Sequence, residues 1–265
     1  MIKSTIFFVA ICRKIRYNIL WVIEVTESLY NGFKRIDFEF QSRDVIVVFP
    51  DEKNKTDKWM LKTEYFDAFP QAEIELIKKG YHLVYLKNKN RWGQDEDQDV
   101  KYELSKYLNK TYELSLKCVP VGMSCGGLHA LRLAVRHPDM ISMLYLDAPV
   151  MNFLSCPYGM GEGEPLSEGI GEIEEAYGFT SSELVTYRDH PIDHMAELIE
   201  NNITILLVYG DSDVIVPFNE NGALLEKYYK EHGGKIKVIG KKGCGHHPHG
   251  LEDPSEIVNF ILKNS

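Results

Sequence analysis

No hydrophobic run in this 265-residue chain is long enough to cross a bilayer. The apolar stretch Ile6 to Cys12 comes closest, and a basic cluster, Arg13, Lys14 and Arg16, follows it where a secretory signal would carry a small-residue cleavage site. A cytoplasmic protein without stable membrane insertion is expected. Positive charge is also in short supply. The net charge of −9 argues against nucleic-acid partners. Cysteine is scarce, odd in number and scattered, at positions 12, 118, 125, 156 and 244. That pattern reads as free thiols in a reducing compartment, not as a disulfide framework. Internal repeats and low-complexity tracts are absent.

What the chain does contain is a soluble core: 44% of its residues are hydrophobic and 26% charged. Residues 1–31 read as an N-terminal extension or a first strand, and 32–265 as one domain. "FKRIDFEF" alternates as a half-buried strand does, and "DVIVVFP" is a β-branched run of the kind buried on both faces. Further strands are expected at "YHLVYL", "KCVPVGM", "MISMLYLDAPV", "ITILLVYG" and "KIKVIGKKGC". Helices are expected between them, near 70–79, 100–115, 125–137, 190–201 and 219–234, with a last one at 254–264. Alternating strands and helices imply a mostly parallel sheet with helices on both faces. Residues 151–190 are glycine-rich and acidic and break the rhythm, so a short cap-like insertion over one sheet edge, after the sixth strand, is expected there.

In such a sheet, chemistry collects at the carboxyl ends of strands. "VGMSCGG" (121–127) puts Ser124 on the turn from a strand into a helix, with Gly122 and Gly126 where side chains would collide. The start of the helix offers free N–H groups to a developing oxyanion, that of Cys125 foremost. A serine needs a base and a group to orient that base. "VYGDSDVIVP" supplies Asp211 and Asp213, and "GKKGCGHHPHG" supplies His246, His247 and His249, each segment following a strand.

With these three segments in order, the chain resembles the α/β-hydrolase superfamily, in its prolyl-oligopeptidase and carbohydrate-esterase-like branches. "GMSCGG" is similar to the family's nucleophile elbow, "GDSDVIVP" to its acid segment and "GCGHHPHGLEDP" to its histidine loop. The resemblance implies an α/β-hydrolase fold and a catalytic set of Ser124, Asp213 and His246, working without a cofactor. It further implies a serine hydrolase of small or carbohydrate-linked esters, with a peptidase as the alternative inside the same chemistry. The gating domain that oligopeptidases of that branch often carry is not expected. A non-catalytic binding protein on the same fold is the alternative outside that chemistry.

Where the family carries His-Gly after its third strand, Phe49-Pro50-Asp51-Glu52 stands at the corresponding place. Proline has no N–H, so the second oxyanion donor is expected from Asp51 or Glu52, with Asp51 foremost. Asp211 reads as a turn residue, and Asp147 as a secondary candidate for the acid. His247, His249 and Cys244 need no metal, because one catalytic base explains a histidine there. His137 reads as a helix-end dipole partner, and His190 and His194 as solvated. Trp92 and Tyr158 are candidates for the pocket wall, with Tyr177 able to stack beside Tyr158. Glu162, Glu164, Glu168, Glu172, Glu174 and Glu175 read as a solvated face.

Overall fold

The computed structural model describes residues 25–265. Cys12 and the expectations for residues 1–24 lie outside the described residues. The described chain opens with β1 (Thr26–Tyr30) and β2 (Phe33–Phe40), joined by Asn31 and Gly32, both at positive φ. Two such residues form the tight turn whose twist matches a hairpin. β3 (Arg43–Val48) continues the antiparallel meander, and then β4 (Trp59–Lys62) follows after a polar loop.

From there the chain alternates. α1 (Gln71–Lys78) leads to β5 (His82–Leu86), and α2 (Asp95–Tyr112) to β6 (Val119–Met123). α3 (Cys125–Arg136) leads to β7 (Leu144–Asp147). The insertion carries α4 (Ser167–Tyr177) and α5 (Ser181–Leu184). α6 (Met195–Glu200) leads to β8 (Ile205–Gly210), α7 (Gly222–Glu231) to β9 (Ile236–Lys241), and α8 (Ser255–Asn264) closes the chain. Among the described residues, nine strands form one sheet in the order β1-β2-β3-β5-β4-β6-β7-β8-β9. All pairings from β5 through β9 are parallel.

The burial of the strands explains their register. Val45, Val47 and Leu61 face one side of the sheet with Leu104, Leu131 and Leu207. Val48, Met60 and Val121 face the other side with Leu76, Ile77 and Ile261. Both faces are covered by helices, so the central strands carry near-continuous apolar runs, as buried parallel strands do.

Three expectations change here. β4 is an extra strand, so the insertion follows the seventh strand, not the sixth. Its four residues are all buried and show no alternation after a polar loop, so no periodicity marks them. The insertion contains an eleven-residue helix, α4, and lies over the carboxyl ends of the strands, not over a sheet edge: Gly169 packs on Trp92, and Leu166 and Gly169 line the cleft at Ser124. His190 is buried instead of solvated, 3% exposed, with its Nδ1 accepting the Phe153 N–H at 3.2 Å. His194 is half-buried between Asp189 and Glu197, and His137 stacks on Tyr102 while its Nε2 meets Asp99 at 2.8 Å.

Candidate active site

Ser124 stands between β6 and α3 at φ 54° and ψ −122°, a conformation that few residues with a side chain adopt. Crowding enforces it. A Cβ on Gly122 would come within 2.5 Å of Gly126 O, and one on Gly127 within 2.4 Å of Pro149 Cβ. The strand and the helix therefore meet closely, and the serine is lifted out at their junction. Its N–H donates to Asp147 O at 2.9 Å, which ties the turn to β7.

The two neighbouring strand ends bring up the other groups. Asp213 follows β8, and its Oδ1 accepts the N–H groups of Ile215 and Val216, each at 2.9 Å. Its Oδ2 lies 2.8 Å from His246 Nδ1, and His246 Nε2 lies 3.0 Å from Ser124 Oγ. Burial raises the Asp213 carboxyl, but the His246 hydrogen bond and the two amides outweigh it and hold the group below the usual carboxylate range. An ionised Asp213 on Nδ1 keeps the proton there and leaves the Nε2 lone pair facing the serine. Asp211 has the turn role expected of it, its Oδ1 accepting the Gly243 N–H at 2.7 Å. Asp147 does not reach His246. It accepts from His249 Nδ1 at 2.8 Å and from the Gly250 N–H at 2.6 Å.

The expected oxyanion donors separate. Cys125 is the first residue of α3, so its N–H has no acceptor within the helix. Burial pushes its thiol up to about 11, so the sulfur is not a competing nucleophile. Asp51, by contrast, follows the end of β3, which runs antiparallel to β5 and puts Val48 opposite Leu83, at the amino ends of the parallel strands. That is the far edge of the sheet from Ser124, and Asp51 is exposed there. The loop beside the serine is instead 63–65, after β4. Thr63 Oγ1 donates to Gly126 O at 2.7 Å, and Glu64 Cβ and N lie 3.3 and 3.4 Å from where a Gly126 Cβ would be. Missing β4 as a strand hid this loop.

A buried polar network backs that loop. Glu64 Oε2 accepts from Asn88 Nδ2 at 2.6 Å, and Asn88 Oδ1 accepts from Lys101 Nζ at 2.5 Å. Lys101 also lies 3.3 Å from His129 Nδ1. Burial pushes Lys101 down to about 8 against the pull of Asp97 and Glu64. Burial also raises the Glu64 carboxyl, with the Asn88 amide opposing. The acid in the loop beside Ser124 is thereby less strongly ionised.

Ser124, Cys125, His246 and Trp92 share one cleft of about 370 Å³ with Tyr65 and Arg91. Trp92 is 1% exposed, and its Nε1 donates to Glu172 at 2.9 Å. Glu172 also grips Arg91 through both carboxylate oxygens, at 2.6 and 2.9 Å, so it is not part of a solvated face. Tyr158 is not in the cleft wall. It is 8% exposed, and its hydroxyl donates to Glu174 at 3.0 Å. Tyr177 turns its hydroxyl to Trp92 O at 2.7 Å, inside the cap's own aromatic cluster. Cys118, Cys125, Cys156 and Cys244 are free thiols, and no helix among the described residues is long and apolar enough to cross a membrane.

The model of the family described as "Putative esterase" matches residues 41–247. A comparison with curated proteins found no match. Among solved structures, acylaminoacyl peptidase of Pyrococcus horikoshii superposes with a TM-score of 0.65 at 18% identity, over 83% of this chain and 40% of that one. Dipeptidyl peptidase 4 of Porphyromonas gingivalis gives 0.64 at 15%, over 94% and 36%. Est1E of Butyrivibrio proteoclasticus gives 0.61 at 16%, over 91% and 98%. The chain thus spans about 40% of the length of the acylaminoacyl peptidase it matches. At these identities the likeness is one of fold, and the expected α/β-hydrolase fold is the observed one.

Proposed function

The chain belongs to this esterase family, and from that premise we propose that it is a serine hydrolase of small or carbohydrate-linked carboxylic esters, working through an acyl-enzyme. The observation that carries the reading is the continuous relay from Ser124 Oγ through His246 to Asp213, at 3.0 and 2.8 Å, on a serine held at positive φ. In this reading His246 takes the serine proton as Oγ attacks the carbonyl carbon, then gives it to the leaving alcohol. Asp213 holds the tautomer and stabilises the imidazolium. Water repeats the sequence on the acyl-enzyme.

The developing oxyanion is held by the Cys125 N–H, a contact worth about 3 kcal/mol in comparable sites. The second donor is assigned to the Tyr65 N–H, in the loop packed on the elbow, in place of Asp51; its long 3.4 Å bond to Glu64 Oε1 is the one the oxyanion would displace. Tyr65 itself sits at φ 55° and lines the cleft. An ester is favoured over a peptide by the family description. The cleft volume suits a small acyl group.

Hydrolysis of p-nitrophenyl acetate tests the reading, with Ser124→Ala folding normally and losing at least about 10⁴-fold in rate. Undiminished turnover in that variant would remove Ser124 as nucleophile. A fluorophosphonate that fails to label the unmutated protein would favour a binding role. A panel of acetylated sugars, feruloyl esters and aminoacyl amides separates esterase from peptidase by which class turns over fastest.

A further inference from the structure

The proposed mechanism uses one histidine of a loop that holds three. The rings of His246, His247 and His249 stand at the corners of an equilateral triangle, each pair of centroids 4.9 Å apart. Their planes cross at 60°, 81° and 86°, and one ring nitrogen from each lies within 4.8 Å of the others. With Zn–N bonds of about 2.0–2.1 Å, three imidazoles around one tetrahedral ion place their ring centres about 5 Å apart. The triangle already has that size. Ring rotation that brings the nitrogens to about 3.4 Å from one another completes the geometry.

The surroundings are those of ligands, too. His246 Nδ1 is held by Asp213 and His249 Nδ1 by Asp147, both at 2.8 Å. A carboxylate on one ring nitrogen fixes the tautomer and raises the basicity of the other, the usual support of a metal-bound histidine. The Asp147–His249 pair is almost fully buried, its side chains 1% and 3% exposed, and the relay to Ser124 does not use it. His247 is exposed, stacks on Phe69 and has no hydrogen bond to either ring nitrogen among the described residues. Three neutral imidazoles with no carboxylate among the ligands select a borderline-soft ion such as Zn²⁺ over Mg²⁺ or Ca²⁺.

We propose that His246, His247 and His249 form an inhibitory site for a borderline-soft divalent cation, zinc foremost. The Nε2 lone pair of His246 that faces Ser124 is the same one that binds the ion, so metal and proton transfer exclude one another. A water or Ser124 Oγ fills the fourth position. The inhibition rests on the serine-hydrolase reading, whereas the binding does not.

Calorimetric titration of metal-stripped Ser124→Ala protein with Zn²⁺ tests the site without any activity. One ion per chain is expected, with affinity falling at least about tenfold in His247→Ala. Co²⁺ in place of Zn²⁺ should give the visible absorption of a tetrahedral nitrogen site, lost in the same variant. In the serine-containing enzyme, Zn²⁺ should inhibit p-nitrophenyl acetate hydrolysis reversibly with EDTA. The midpoint in His247→Ala, taken against that variant's own zinc-free rate, should rise at least about tenfold. Absence of saturable binding, or binding that His247→Ala leaves unchanged, overturns the site. Binding at one equivalent without inhibition of an active enzyme overturns the inhibitory role. A protein that binds zinc but hydrolyses no ester supports the site and counts against the functional reading.

Discussion

The strand ends and the cap meet across one cleft but are built by opposite means. At the strand ends, Ser124, Asp213 and His246 each stand a few residues beyond a strand of the sheet, held by backbone hydrogen bonds and glycine contacts. In the cap, side chains carry most of the position, with the Glu164 N–H to Val214 O bond at 2.7 Å as a backbone tie to the loop after β8. Phe153 is fully buried among Trp92, Tyr177, Tyr187 and His190, and Glu172 ties α4 to Arg91 and Trp92. A site built on backbone is stiff and tolerant of surface change, whereas one built on side chains is only as firm as its packing. Function and stability should therefore separate between the two regions.

The largest expected effect breaks the relay without disturbing its frame. Asp213→Asn keeps the shape and the acceptor oxygen for the Ile215 and Val216 amides, but loses the charge that holds the His246 tautomer. kcat should fall about 10³–10⁴-fold, with KM for p-nitrophenyl acetate nearly unchanged. A loss below tenfold would show that the acid lies elsewhere, with Asp147 next to be tested.

Phe153→Ala should do the reverse. Removing a fully buried ring costs about 3–5 kcal/mol in such cores, read as a shift in urea midpoint. The strand ends do not depend on this ring, so acetate-ester turnover at 25 °C should stay within about tenfold while the protein is folded. Loss of turnover on the scale of Asp213→Asn would mean that the cap shapes the relay directly.

The same division explains what could be read in advance. Strand, turn and helix around Ser124 are legible because a short apolar segment with Val119 and Val121 leads into a helical pattern and glycines bracket the serine. The segments holding Asp213 and His246 were legible because each follows a strong strand. Distances between them are not written in chain separation, and only the sheet order brings 124, 213 and 246 together. β4 is not legible in the sequence because its four buried residues carry no period, and the loop 63–65 beside the serine is hidden with it. Pro50-Asp51 follows β3, a strand whose end points the other way. In the cap, α4 has glycines at 169 and 171 and no side-chain cap at its start, so its helical pattern is weak. The role of Glu172 depends on Arg91, 81 residues away, which no local pattern reveals.

A third region sharpens the contrast, because it is buried yet far from the cleft. His82 opens β5 at the amino end of the sheet, its Nδ1 3.3 Å from Lys58 O and its Nε2 without a partner among the described residues. Burial pushes its pKa down from 6.5 to about 4, with the Lys58 carbonyl opposing. The unfolded chain therefore takes up the proton first. The stability tied to a neutral His82 is complete above pH 6.5 and drains away as pH falls toward 4. Between pH 7 and pH 5 the cost is about 2 kcal/mol. His82→Gln should narrow the gap between unfolding free energies at those two pH values by that amount. An unchanged gap would mean that His82 does not drive the acid lability.

The smallest effect probes the tie between the two regions. Glu172→Gln removes the charge facing Arg91 and leaves an oxygen for Trp92 Nε1. Both ionic partners are more than one-third exposed, so the pair adds less than about 1 kcal/mol to stability. Its consequence belongs in KM, because Arg91 and Trp92 wall the cleft and α4 closes over them. Raising ionic strength screens the pair in the unmutated enzyme and has nothing to screen in the variant. KM for a bulky acyl ester should thus change several-fold with salt in the first and stay level in the second, while kcat holds in both. Parallel salt curves would show that aromatic packing alone seats the cap, and that Glu172 serves Trp92, not Arg91.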